Sequence, residues 1–443
     1  MSARPDAKPL KVCLDARIWP GLWGGVEPYI MQVGRALCEL EAREPGGEEF
    51  YFLVHEPSVA WARERIGASA RLIHDGPVVD AERMGRPDVP GVMKLLKSPR
   101  RALRQWAQRR AWDAAARTEA WRRVRNTTPG SSGAIEAAGV DVMHFMHQAG
   151  FVTRVPSIYQ PHDFQHEHYP ELFEERELRW RAGLYPRLCW QARAIVAVSS
   201  FVRDDTTRWT GVPAERIFVL PYPPPLGGYG EPTEADLRSA REKYALPPRY
   251  LFYAAQTWAH KNHVNLLRAI ALLRERDGVE VPVVCSGHKN EYFAVIEAER
   301  AKLGLERLAL FPGFVPPLEV RCLYAMAAGV VIPTRFEAAS YPMWEAFREG
   351  RAVCCSNVTA LPKQAGDAAV LFNPDDPASI AAGMRKIWDD ESLRRTLAER
   401  GRANLARFTP ERSARAFRAL YRKVGGRPMT DEDRAILAEE PML

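Results

Sequence analysis

The chain has 443 residues, of which 46% are hydrophobic and 26% charged, and a net charge of +7. That length exceeds one ordinary core and predicts two domains, and the balance is that of a soluble globular protein. No apolar run is long enough for a membrane-spanning helix, and the first residues lack the apolar stretch of a secretory leader.

The seven cysteines (Cys13, Cys38, Cys189, Cys285, Cys322, Cys354 and Cys355) are scattered, with no C-x-x-C pair. They read as reduced, mostly buried thiols of a cytoplasmic protein, not as a disulfide framework or metal site.

Residues 10–15 read as a first buried strand. A Trp- and Gly-rich loop ending in Gly24 and Gly25 follows, and residues 26–40 have helical spacing. Strand, glycine turn and helix in this order open a Rossmann-like unit. Residues 50–54 are a second strand. Residues 78–138 read as a helical insertion. Its stretch from Lys94 to Arg125 carries Lys97, Arg100, Arg101, Arg104, Arg109, Arg110, Arg117, Arg122 and Arg123, with Trp106, Trp112 and Trp121 interleaved. This pattern suits a solvated helical face and, equally, an interfacial helix on an anionic membrane surface. No motif supports nucleic acid.

Short strands are predicted at 140–145, 156–160, 193–198 and 217–220, with Ser199 and Ser200 capping the helix after the third. A Pro- and Gly-rich stretch at 221–232 then marks a domain boundary. The second half repeats the alternation. Strands are predicted at 250–254, 281–286, 308–312, 330–332, 352–355 and 369–372, and helices at 262–276, 291–303, 318–327 and 377–389. A last helix at 410–424 precedes a polar tail. Such alternation implies parallel sheets in two α/β domains facing a cleft.

The densest signal is VVIPTRFEAASYPMWEAFREGRAV, residues 330–353. A buried strand ends at Pro333 and Thr334, a loop carries Glu337, and Pro342 opens a helix bearing Glu345. Carboxylates and a helix N-terminus at the carboxyl end of a strand suit a phosphorylated, hydroxyl-rich ligand.

Glu337 and Glu345 form E-x7-E. Gly350-Arg-Ala-Val353, Ser356-Asn357, Leu361-Pro362, Gly366-Asp-Ala-Ala369 and Asn373-Pro374-Asp375-Asp376 follow in order. This set resembles the carboxyl-terminal domain of the retaining glycosyltransferases of family 4, which have the GT-B fold. Residues 255–273 resemble the family's nucleotide-sugar lysine segment, Gly24-Gly25-Val26-Glu27 its amino-terminal glycine loop, and His162-Asp163 its acceptor-side element.

The resemblance implies an α/β GT-B architecture of two Rossmann-like domains. Residues 1–222 would bind acceptor and 233–407 donor. Residues 408–424 would be a cross-over helix, and 425–443 a tail. It implies a metal-independent hexosyltransferase that needs no cofactor. Its donor would be a GDP- or UDP-sugar, with mannose from GDP-mannose the first expectation, and its acceptor a glycan or lipid-linked glycan in polysaccharide assembly. Lys261, Glu337 and His162 would be catalytic. Glu345, Ser340, Ala339, Tyr341, Gln256, Gly24, Gly25 and Arg335 would line the donor site.

Lys261, read as following a strand and beginning a helix, would meet the departing diphosphate, whose charge must be stabilised without reorganisation. Glu345 would accept the ribose hydroxyls, and Glu337 would reach the sugar. His166 and His168 are weaker candidates beside His162, and no ligand spacing makes these histidines a metal site. Asp431-Glu432-Asp433, in the tail, is discounted as a metal motif.

Two departures stand out. Gln256 occupies a place where the family has a basic residue, leaving Arg335 or His260 to compensate. Ala338-Ala339-Ser340 replaces Gly-Phe-Gly, so the loop is expected to use ordinary helix-start geometry without positive φ. The rival readings are a non-catalytic GT-B nucleotide- or glycan-binding protein and another GT-B enzyme, such as a sugar-nucleotide epimerase. The expected location is cytoplasmic, peripheral on the inner face of the plasma membrane.

Overall fold

A computed structural model describes residues 8–18, 25–55, 58–67, 70–75, 128–220, 224 and 230–443. Gly24, the basic segment from Lys94 to Arg125 and most of the Pro-rich boundary lie outside the described residues. The chain divides into two units. One comprises residues 1–196, 206–218 and 417–437; the other comprises 197–205, 219–416 and 438–443.

The first unit is built on a seven-stranded sheet: β1 (Leu10–Asp15), β2 (Glu48–Val54), β3 (Arg71–His74), β4 (Val142–Phe145), β5 (Ser157–Tyr159), β6 (Ala194–Ala197) and β7 (Ile217–Val219). Its spatial order is β3-β2-β1-β4-β5-β6-β7. The second has six strands: β8 (Leu251–Ala254), β9 (Val283–Ser286), β10 (Ala309–Gly313), β11 (Gly329–Ile332), β12 (Val353–Ser356) and β13 (Ala369–Phe372). Their order is β10-β9-β8-β11-β12-β13. Every ladder in it is parallel.

Strands β4, β6, β9, β11 and β12 are buried along their whole length. Helices cover both faces of such strands, which is why they read as apolar runs without alternation. Strand order reverses between β1 and β4 in one sheet and between β8 and β11 in the other, and ligands of open α/β sheets gather outside the carboxyl ends at such points.

The structure adds elements that the sequence reading lacked. The helix Val59–Ile66 and the edge strand β3 complete the first unit, and the helix Glu391–Leu405 belongs to the second. The tail is not a plain polar extension. Thr430 and Asp433 form a reciprocal cap, with Thr430 N–H donating to Asp433 at 2.8 Å and Asp433 N–H to Thr430 Oγ1 at 3.0 Å. That cap starts a further helix, Asp431–Ala438. Its Asp433 is buried and spent on Arg422.

The helix Pro410–Val424 contributes Tyr421, whose hydroxyl meets His144 Nδ1 on β4 at 2.9 Å. The next residue, Arg422, bonds Glu48 at 2.6 Å and Asp433 at 3.1 Å. Glu48 is nearly fully buried, and that guanidinium is its cationic partner. Removing one partner of a buried pair costs about 3–5 kcal/mol, because the other charge stays buried. Arg422→Ala should therefore lower the first unit's thermal midpoint in calorimetry and leave the second unit's transition in place.

Candidate active site

In the second unit, the chain leaves β8 and makes a short 3-10 turn, Ala259–Lys261. Asn262 then takes a left-handed φ of +63°. Lys261 therefore does not open the next helix, contrary to the sequence reading; that helix, His263–Asp277, starts two residues later. Asparagine enters this conformation more readily than most residues. Its amide also has a use, since Nδ2 donates to the carbonyls of Pro333 at 2.9 Å and Pro374 at 2.8 Å. The turn after β8 is thereby tied to the loop after β11.

On that loop stands Glu337. Lys261 Nζ lies 2.5 Å from Glu337 Oε1, with side chains 20% and 12% exposed. The two residues that the E-x7-E and lysine segments supply are thus one ion pair at the second sheet's switch point. The loop after β12 holds Glu337 from the other side: Thr359 Oγ1 donates to its carbonyl at 2.7 Å and accepts its N–H at 3.1 Å.

Neither Ala338, Ala339 nor Ser340 has positive φ, as the loss of glycine there predicts. Ser340 is fully buried as the cap residue of the helix Tyr341–Arg348. Gln364 brackets it, accepting its N–H at 2.8 Å and donating to its carbonyl at 2.7 Å. Tyr341 packs at 6.0 Å from Trp344. Glu345, one turn in, accepts from Tyr324 OH at 2.9 Å. Burial pushes its carboxyl above the usual range, and the Tyr324 bond and Arg348 pull it partly back.

Gln256 is exposed, and its Oε1 accepts from Trp258 Nε1 at 2.9 Å. Arg335 bonds Asp375 at 2.7 Å on the surface. His260 is not a replacement cation, because burial and the neighbouring Lys261 push its pKa down to about 2.

In the first unit, His162 follows β5 with a left-handed φ of +65°. It is buried, its Nε2 donates to the Met146 carbonyl at 2.7 Å, and its ring meets Tyr29 edge-on at 5.7 Å. Burial brings its pKa down to about 4, so the ring is neutral. His166 is buried against Phe164 and Tyr185. Gly25 is exposed with an ordinary φ of −68° at the start of the helix Val26–Arg43.

The sequence reading missed the group at this unit's switch point. Asp15, fully buried at the end of β1, takes Arg17 through both oxygens at 2.9 and 2.7 Å, and His147 lies 3.3 Å away. Arg17 also reaches Asp75 at 2.6 Å. Burial alone would raise the Asp15 carboxyl; Arg17 and His147 hold it well below the usual range. The D-x-R spelling at a strand end was the available signal. Among the described residues, no cluster of three or more His, Cys, Asp or Glu is placed to hold a metal ion.

Two family profiles match the two halves of the chain: Glycosyltransferase Family 4 over residues 23–223, and Glycosyl transferases group 1 over residues 237–404. The chain belongs to the family 4, group 1 glycosyltransferases. This glycosyltransferase is 28% identical over 272 residues to O-antigen chain mannosyltransferase B of Escherichia coli, covering 59% of the chain and 71% of that protein. It is 28% identical over 227 residues to the serotype-specific mannosyltransferase WbdA of the same organism, covering 49% of the chain but 27% of that longer protein. Its α/β fold, GT-B, is shared with Anabaena HepE in complex with UDP and glucose. That match has a TM-score of 0.63 at 16% identity, covering 94% of this chain and all of that one. Among the described residues of this glycosyltransferase, no helix is long and apolar enough to cross a membrane.

Behind Lys261, His263 is fully buried with both ring nitrogens unpartnered, and burial followed by the lysine's charge brings its pKa down to about 3. A base that is harder to protonate folded than unfolded stabilises the fold fully above its ordinary pKa, here 6.5. As pH falls below that value the unfolded chain takes up the proton first, so stability drops by up to about 1.4 kcal/mol per pH unit for each such histidine. The second unit's thermal midpoint should fall between pH 6.5 and 4, and His263→Phe should make that fall shallower.

Proposed function

We propose that this glycosyltransferase moves mannose from GDP-mannose, with retention of anomeric configuration, to a glycan or lipid-linked acceptor in polysaccharide assembly. One observation carries the reading of the site: Lys261 and Glu337 meet at 2.5 Å outside the switch point of the second sheet. The mannosyltransferase relatives support the choice of sugar.

The leaving group is a diphosphate, so bond cleavage concentrates negative charge on it. An ammonium has three N–H donors. In Lys261 one goes to Glu337, leaving two for phosphate oxygens. A cation fixed in advance at that place stabilises the departing charge without reorganising. Glu337 takes sugar hydroxyls on the other side of the same contact.

Glu345 has one oxygen held by Tyr324 and the other available to ribose hydroxyls. His162, neutral and with Nε2 engaged, offers Nδ1 as an acceptor for a sugar hydroxyl. Arg335 is the second cation in this reading. Its surface pair with Asp375 is worth at most about 1 kcal/mol, so a diphosphate can draw it away.

The test is release of nucleoside diphosphate from a panel of GDP-mannose, GDP-glucose, UDP-glucose and UDP-N-acetylglucosamine, with and without acceptor extract. GDP release from GDP-mannose alone is expected. Tight nucleotide binding with no release from any donor would replace the reading with a non-catalytic binding protein.

Lys261→Ala should lower turnover by about 100- to 1,000-fold, the usual loss for one preorganised donor to developing charge. Near-normal turnover would remove Lys261 from the diphosphate. Glu345→Gln should weaken GDP binding by roughly tenfold, about 1.4 kcal/mol. An unchanged GDP affinity in calorimetric titration would count against the ribose contact.

A further inference from the structure

Thr359 adopts a φ of +54° in the loop after β12. For a β-branched residue this is an outlier, with a cost on the order of 1–3 kcal/mol. Glycine would enter the same conformation freely. A threonine kept there invites the question of what its side chain does.

Its hydroxyl grips the backbone of Glu337, donating to the carbonyl at 2.7 Å and accepting the N–H at 3.1 Å. The Val358 carbonyl, at 2.8 Å, is the alternative acceptor for its one proton. Ala360 N–H also donates to the Glu337 carbonyl, at 3.3 Å. Its own loop has other anchors. Asn357 N–H is anchored on the Phe372 carbonyl at 2.8 Å, Leu361 N–H on Val358 at 3.2 Å, and Ser356 Oγ on the Ile332 carbonyl at 3.2 Å. Both polar groups of the Glu337 peptide are thus held from a neighbouring loop while Lys261 holds the carboxylate.

We propose that Thr359 is a positioning residue for Glu337. Its hydroxyl fixes the backbone from which the carboxylate reaches the transferred sugar. The strain at Thr359 is the counterpart of that grip: the left-handed turn brings Oγ1 onto the Glu337 peptide. This inference rests on the reading of Glu337 as the sugar-facing carboxylate.

Three variants test it, assayed with GDP-mannose or whichever donor of the panel above the wild-type protein turns over. Thr359→Val keeps shape and branching without the hydroxyl, Thr359→Gly removes strain and hydroxyl together, and Thr359→Ser keeps the hydroxyl. Misplacing a catalytic group by about 1 Å can cost about 100-fold, so Val and Gly should lower kcat by about 10- to 100-fold. Their nucleoside diphosphate affinity should fall by much less than kcat, since Lys261 keeps its own turn after β8, and Ser should stay within about threefold of wild type. The Gly variant should be no less stable to heat than the wild type, which separates positioning from support of the fold.

Wild-type kcat in Thr359→Val, alongside an inactive Glu337→Gln, would overturn the positioning role and leave the Glu337 reading standing. Wild-type kcat in Glu337→Gln would overturn both. Equal losses of nucleotide affinity and kcat in Thr359→Val would also overturn it, assigning Thr359 to the fold as a whole.

Discussion

A half-buried lysine and glutamate held at 2.5 Å is the constraint around which the second unit is arranged. Such a pair is weak evidence of stability, because desolvating two charges offsets most of their attraction. It persists because its surroundings fix both partners. Asn262 joins the lysine turn to Pro333 and Pro374, and Asn265 adds a third bond, to Pro374, at 3.0 Å. Thr359 holds the Glu337 peptide, and Gln364 holds Ser340. All of these are side-chain bonds to backbone, each worth about 0.5–1.5 kcal/mol. Together they offset the strain of two left-handed non-glycine residues, Asn262 and Thr359. The result is a cation and a carboxylate held side by side by the fold; in the proposed reading that is the condition under which electrostatic stabilisation of a leaving group costs no reorganisation.

The first unit solves the same problem with different residues. Its switch point carries Asp15, fully buried, with Arg17 bidentate upon it and Asp75 on the far side of the guanidinium. Bidentate geometry is what makes a buried carboxylate tolerable. Ala149 N–H donates to His147 Nδ1 at 3.2 Å, which turns Nε2 toward Asp15. His162, after the next strand, is strained and neutral. Each unit thus places a left-handed non-glycine residue and a paired carboxylate just after the carboxyl ends of central strands.

This division explains what could be read from the sequence. Strands buried on both faces are apolar runs, so β1, β6, β11 and β12 were legible within a residue or two. Strand β3 was not, because as an edge strand it spells Arg-Leu-Ile-His with half its side chains exposed. The two late helices were missed although their caps are written plainly, Asp390 with Leu393 and Thr430 with Asp433. Lys261, Glu337 and Glu345 stood out by spacing and family resemblance. Their supports did not. Asn262 has a known tendency to left-handed φ, but nothing in the word Val358-Thr359-Ala360 announces that a threonine will adopt it. That conformation goes with a hydrogen bond to a residue 22 positions away, and single-sequence reasoning has no access to it.

The glycine-free loop shows where such contacts lead. With Ala338-Ala339-Ser340 in ordinary φ, the chain cannot wrap its amides closely around an anion as a glycine turn does. Most of its amides are also occupied. Arg335 N–H goes to the His260 carbonyl at 2.8 Å, Phe336 N–H to Thr334 Oγ1 at 3.4 Å, Glu337 N–H to Thr359 and Ser340 N–H to Gln364. Between Arg335 and Ser340, the N–H groups of Ala338 and Ala339 alone make no hydrogen bond among the described residues. A diphosphate seated on this loop would therefore meet two backbone donors and not a full cradle. The burden of its charge then falls on side chains, with Gln256 supplying none and His260 held neutral. In the proposed reading that leaves Lys261, with Arg335 as the second cation. A site with few donors depends on placing each of them well.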